Sequence, residues 1–137
     1  MNNYLDYDFY RNNNYNPNNN NISLTSPSEG YEKGNLFRNL YNEYKNYKPA
    51  KLIPKDEREK KLYDLSAICF AAHELNLYLD LNPEDQSAFM LFMDYEKQAN
   101  RLIEEYERLY GPLNINSEEM KTFTWSSDKW PWEGKNV

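Results

Sequence analysis

Two long runs of apolar residues at helical spacing, interrupted once at Asn82-Pro83-Glu84-Asp85, constrain this chain more than any other feature. In the first run Leu65, Ile68, Ala72, Leu75 and Leu79 alternate steps of three and four residues. At about 100° per residue they fall within an arc about 80° wide, the signature of an amphipathic helix. Lys55-Asp56-Glu57-Arg58-Glu59-Lys60 supplies a charged, solvated start, so a helix is predicted from about Lys55 to Leu79. In the second run Ala88, Phe92, Tyr95, Ala99, Leu102, Tyr106 and Leu109 keep the same alternation, which predicts a helix from Pro83 to about Tyr110. Asn82 reads as its cap, Pro83 as its first residue, and Glu84 and Asp85 as acids favoured by the helix dipole. Gly111 and Pro112 end it. So short a break between two long helices implies an antiparallel pairing. The expected fold class is all-α, an antiparallel two-helix hairpin over residues 55–112 with disordered N- and C-terminal tails.

The flanks carry less fold information. Ten of the first 21 residues are Asn, with Tyr4, Tyr7, Tyr10 and Tyr15 among them. Such a segment has too little aliphatic surface to offset roughly 1–2 kcal/mol of backbone entropy per residue, so 1–25 reads as a disordered Asn/Tyr-rich tail. Residues 26–54 form an intermediate segment and linker. Ser26-Pro27-Ser28-Glu29 looks like a helix start. Gly30 and Gly34 weaken any helix beyond that start, and Leu36, Phe37, Leu40 and Tyr41 have the spacing of one or two turns. Pro49 and Pro54 punctuate the approach to the first long helix. The final stretch, 113–137, has no periodicity but contains Trp125, Trp130 and Trp132.

The first long helix carries more apolar surface than one partner can cover. Tyr63, Phe70 and Leu77 repeat every seven residues and project about 180° from the Leu65–Leu79 stripe. Phe89, Met90 and Met93 likewise lie off the main stripe of the second helix, near the turn. Each such side chain is worth roughly 1.5–3 kcal/mol when buried, and a chain this short has little core to spare. Tyr63, Phe70, Leu77, Phe89 and Met93 are therefore expected to bind something: a second copy, a different protein, the Leu36–Tyr41 segment or the Trp-rich tail. Cover from within the chain, by residues 36–53 or 123–132, is the other reading. Trp130 and Trp132 are candidate aromatic anchors.

The 137 residues allow one domain, and 16 Lys+Arg against 22 Asp+Glu leave a net charge of −6. That balance opposes binding to nucleic acid or to an anionic membrane surface. The longest apolar runs, 67–72 and 88–93, are far below the roughly 20 residues of a spanning helix. No secretory signal is visible at Met1-Asn2-Asn3-Tyr4. The single cysteine, Cys69, excludes an internal disulfide framework and reads as a small hydrophobe near the core.

Catalysis finds no foothold in the residue pattern. His73 is the only histidine, and Phe70 stands where a Glu-x-x-His metal motif needs a carboxylate. No G-x-G occurs among the four glycines. Glu104, Glu105 and Glu107 with Arg101 and Arg108 read as a solvated helix face. Asn76 and Asp80, near His73, read as local hydrogen-bonding groups or as polar contacts to a partner. No cofactor is expected. Thirteen tyrosines are potential substrates for oxidative coupling, or a by-product of biased composition.

His73-Glu74-Leu75-Asn76-Leu77-Tyr78-Leu79-Asp80, followed by Asn82-Pro83-Glu84-Asp85, Tyr110-Gly111-Pro112-Leu113 and Trp130-Pro131-Trp132, resembles the CotJB family of spore coat proteins over about residues 57–133. The stretch 26–41, within about 26–48, is similar to a second coat component, CotJA, with departures at Asn35 and Arg38. The resemblance implies a non-enzymatic structural role in the endospore coat, after synthesis in the mother-cell cytoplasm, in homo- or hetero-oligomers with other coat proteins. A manganese-catalase-like coat protein is an implied partner. The rival expectation is a soluble helical adaptor or regulator that assists coat assembly in the mother cell.

Overall fold

The computed structural model describes residues 22–40, 44–49 and 51–123. The tails expected to be disordered fall largely at 1–21 and 124–137, outside the described residues, as do Trp130 and Trp132. Three helices occur among the described residues: α1 (Pro27–Lys33), α2 (Glu57–Leu81) and α3 (Gln86–Tyr110). The single pairing of extended backbone among them is the isolated antiparallel bridge between Leu24 and Phe37.

α2 begins at Glu57, two residues after the predicted start at Lys55, because Asp56 is its cap. The Asp56 carboxylate accepts the Glu59 amide at 2.8 Å, and the Glu59 carboxylate accepts the Lys55 amide at 2.7 Å. The first bond satisfies an amide that the opening helical turn leaves without a partner, and the second reaches back to the residue before the cap. The helix runs to Leu81, two residues beyond the predicted end. It stops there because Pro83 disfavours the α region for the residue before it. Asn82 accordingly leaves the helix, with φ −133° and ψ 58°.

Asn82 was expected to open α3, and it instead closes α2. Its backbone amide donates to Tyr78 O at 3.0 Å and Leu79 O at 3.2 Å, and its side-chain amide donates to Tyr78 O at 3.0 Å. The cap of α3 is Asp85, whose Oδ1 accepts the Ala88 amide at 3.0 Å. Residues 82–85 thus form a tight turn between antiparallel α2 and α3. Gly111 ends α3 with φ +98°, and its amide donates to Glu107 O at 2.9 Å.

The predicted seam forms except at its far end, where Leu109 is exposed. Leu65, Ile68, Ala72 and Leu75 are buried on α2, and Ala88, Tyr95, Ala99 and Tyr106 on α3. α2 also buries Ala67 and Ala71, which lie off that seam. Ala71 belongs to the same core cluster as Leu36 and Phe37. Leu36 is fully buried, so a residue from the intermediate segment is among the best covered in the protein.

That segment corrects the two-helix expectation. α1 is a third helix, capped by Ser26 Oγ, which accepts the Glu29 amide at 3.3 Å, and ended by Gly34 at φ +74°. Gly30 was expected to weaken it, but the position has no room for a side chain. A Cβ there would lie 2.9 Å from Thr25 Oγ1 and 3.2 Å from Leu36 Cα. The helical turns expected at Leu36–Tyr41 do not form over 36–40. The backbone there pairs with 23–25 instead: Thr25 N–H donates to Leu36 O and Arg38 N–H to Ser23 O, each at 2.8 Å. Residues 22–40 therefore close on themselves around α1, and α1 packs on α2. Residues 22–25, assigned by composition to the tail, belong to this closed unit.

Candidate functional site

The second stripe of α2 splits into a covered part and an open part. The Tyr31 ring of α1 meets Tyr63 edge-on at 5.8 Å between centroids and Phe70 at 6.0 Å. Both α2 rings are half-buried. Tyr63 Oη donates to Glu32 Oε1 at 3.2 Å. Burial, and then that carboxylate, push the Tyr63 hydroxyl up to about 12. Leu77, one heptad further along, is 49% exposed. The apolar period predicted all three positions as one face. It did not reveal that α1 covers two of them, because α1 is too short to have a periodic signal.

The turn end keeps its apolar surface open. Leu81 is 85% exposed, Met90 61%, Phe89 43% and Met93 40%. Leu77 and Leu81 are one turn apart on α2, and Phe89 and Met93 one turn apart on α3. In an antiparallel hairpin the end of α2 lies beside the start of α3, so these side chains collect at one end. Leu81 is an addition to the predicted set; the predicted helix had ended before it.

The block His73–Asp80 alternates between structural and surface positions. His73, Asn76 and Asp80 are exposed or half-exposed, and Leu79 is half-buried against the core. Leu75 is fully buried. Glu74 Oε2 accepts the Leu36 amide at 3.3 Å. The Tyr78 ring packs on Phe37 at 5.5 Å, and its hydroxyl donates to Asp85 Oδ2 at 3.0 Å. Asp85 thus caps α3 with one oxygen and holds the end of α2 with the other. Glu74 and Tyr78 carry the N-terminal unit and the turn; no local pattern marked either as a long-range contact.

At the opposite end, α2 and α3 meet through polar groups. Lys61 Nζ lies 2.6 Å from Glu105 Oε1, and this bond raises the Lys61 ammonium above its usual range. Arg58 Nε donates to Tyr106 Oη at 3.1 Å, and its guanidinium lies 5.9 Å from the centre of the Tyr110 ring. Glu107, expected on the solvated face, is buried. Its carboxylate accepts the Leu113 amide at 2.8 Å and the Ser117 hydroxyl at 2.5 Å. Sequence reasoning missed it because the partner loop folds back over that position.

Cys69 reaches the surface, yet burial first and the Glu96 carboxylate second push its thiol up. A raised thiol is a poor nucleophile. Among the described residues no group of three or more His, Cys, Asp or Glu side chains is placed to hold a metal ion. No helix among them is long and apolar enough to cross a membrane.

Neither a curated protein nor a solved structure matches the chain. The family model described as CotJB protein matches residues 59–133, which takes in α2 from Glu59 onward and all of α3. The match does not extend to the CotJA-like stretch at 26–48. It covers more than half of the sequence, and on that ground the chain belongs to the CotJB family, a family of spore coat proteins.

Proposed function

We infer that this protein is a structural component of the endospore coat, and that it docks other coat proteins through the apolar surface at the turn end of its hairpin. The observation that carries the reading is the set of large apolar side chains left open at that end, Leu77, Leu81, Phe89, Met90 and Met93, each at least 40% exposed. Burying large apolar side chains of this kind is worth roughly 1.5–3 kcal/mol apiece. Methionines suit the role because their unbranched side chains adapt to irregular partner surfaces. Trp130 and Trp132 would add aromatic anchors of the type that dominates interface energies. The partners are other coat proteins, a manganese-catalase-like protein among them, and the mature spore coat is the destination. Tyr63 and Phe70 enter such contacts only after Tyr31 leaves them.

The test is a triple substitution, Leu77→Ser, Phe89→Ser and Met93→Ser, in sporulating cells. Coat proteins that co-purify with the wild-type chain should be lost, and a fluorescent fusion of the variant should no longer stay on mature spores. Circular dichroism of the purified variant should keep its helical signal. Unchanged partners and unchanged spore retention would overturn the reading. A wild-type fusion that disappears when the mother cell lyses would favour the adaptor instead.

A further inference from the structure

We propose that residues 22–40 are an exchangeable plug: the groove they fill on α2 accepts the same segment from a second copy, linking copies of the chain through their N-terminal units. The exchange does not depend on docking at the turn end.

The plug is complete in itself. Its helix is capped by Ser26 and ended by Gly34, and its two flanks are tied by Thr25–Leu36 and Arg38–Ser23. Thr25 Oγ1 also donates to Leu36 O, at 3.1 Å. Its main holds on the hairpin are side chains and one amide: Tyr31 against Tyr63 and Phe70, Leu36 in the core, Leu36 N–H on Glu74, and Phe37 on Tyr78. A second copy presents the same set. Residues 44–49 and 51–53 of the connecting chain are all exposed. Tyr47 ties that connection to the plug itself, donating to Lys33 O at 2.8 Å, so the tie can travel with the plug.

The connection is longer than the fold requires. Phe37 lies at the level of Tyr78, whereas α2 begins after Asp56. At 1.5 Å per residue that gap is about 33 Å. From Leu40 to Asp56 the chain can reach about 53–58 Å. A link of this length holds the plug at an effective concentration on the order of millimolar. The plug therefore sits on its own hairpin in dilute solution. It exchanges when the chain itself is packed at millimolar density, which is the regime of a protein layer. Swapping an identical element is a low-cost route to linked copies because it creates no new interface.

Deleting residues 41–53 tests this in the otherwise unchanged chain. It leaves about 20–22 Å of reach between Phe37 and Asp56, against the gap of about 33 Å, too little for the plug to return to its own groove. In a two-fold pair with antiparallel α2 helices, each N-terminus lies beside the partner's Tyr78 end, so the shortened link suffices between copies. The expected result is a stable dimer or larger closed assembly by light scattering at micromolar concentration. Leu36→Asp in the same background should dissociate it, and Phe89→Ser with Met93→Ser should not. A monomeric deletion variant would overturn the proposal. Wild-type protein gives a readout that does not depend on the deletion folding. Isotope-labelled and unlabelled chains, refolded together at about 1 mM, should show Tyr31–Phe70 contacts between chains by isotope-filtered NMR. Their absence would equally overturn it.

Discussion

Glu74 Oε2 accepts the backbone amide of Leu36 at 3.3 Å, a bond that joins positions 38 residues apart and fastens the N-terminal unit to the middle of α2. Leu36 is fully buried, so its amide has no access to water as an alternative acceptor. Replacing Glu74 with Ala should cost about 1–3 kcal/mol, the penalty of an orphaned buried donor. Glu74→Gln keeps an acceptor oxygen and should recover most of that loss. Urea midpoints of the two variants, with the exchange protection of the Leu36 amide, check the assignment. Equal loss in both variants would mean that the contact is not the cause.

Gly30→Ala sets two effects against each other. Ala gains up to about 1 kcal/mol over Gly in helix propensity. Its methyl would meet Thr25 Oγ1 at 2.9 Å and the Leu36 backbone at 3.2 Å. Thr25 Oγ1 is held by Leu36 O and cannot swing aside without losing that bond. Overpacking of this kind costs about 1–3 kcal/mol, so the variant should melt at a lower temperature than wild type. A higher melting temperature would show that the plug has slack at this point.

Tyr63 gives the fold a pH limit on the alkaline side. Its hydroxyl stands at about 12 in the folded state, against an ordinary value of 10.0. The folded protein holds this proton more tightly than the unfolded chain. Its contribution is therefore fully present below pH 10 and is lost as the pH rises from 10 towards 12. Lys61, also raised by its carboxylate partner, acts in the same direction. Guanidinium unfolding midpoints measured across that window should fall with pH, and less steeply in Tyr63→Phe. An identical slope in wild type and variant would remove Tyr63 as the source.

Glu107 holds the chain as it leaves α3. Its two oxygens take the Leu113 amide and the Ser117 hydroxyl, so Glu107→Ala removes both bonds at once. We expect about 1–3 kcal/mol of destabilisation and faster proteolysis within residues 111–123. Ser117→Ala should reproduce part of the effect. Unchanged cleavage in Glu107→Ala would mean that the loop is held by other contacts.

The two long helices were legible because their signals are local. The three-and-four spacing of Leu65, Ile68, Ala72 and Leu75, and of Ala88, Tyr95, Ala99 and Tyr106, needs no knowledge of the partner helix. Their ends at the turn were less legible. Pro83 was visible, but whether Asn82 closed one helix or opened the next depended on which backbone group its side chain could reach. The surplus apolar face of α2 was also visible, as the heptad Tyr63, Phe70 and Leu77. Which part of it stays open was not.

Helix type, helix extent and the antiparallel turn thus rest on interactions within a few residues along the chain, where each residue carries its own evidence. The position of residues 22–40 does not. It rests on Leu36 entering a groove lined by α2, on Tyr31 meeting Tyr63 and Phe70, and on Glu74 receiving one amide. Those contacts exist only once α2 has assembled its face, and they involve a seven-residue helix too short for periodicity to register. The same holds for Glu107, which local spacing placed in solvent and which the returning loop buries. Local order could be read directly, whereas the choice of which apolar surface to cover was made by distant segments competing for it.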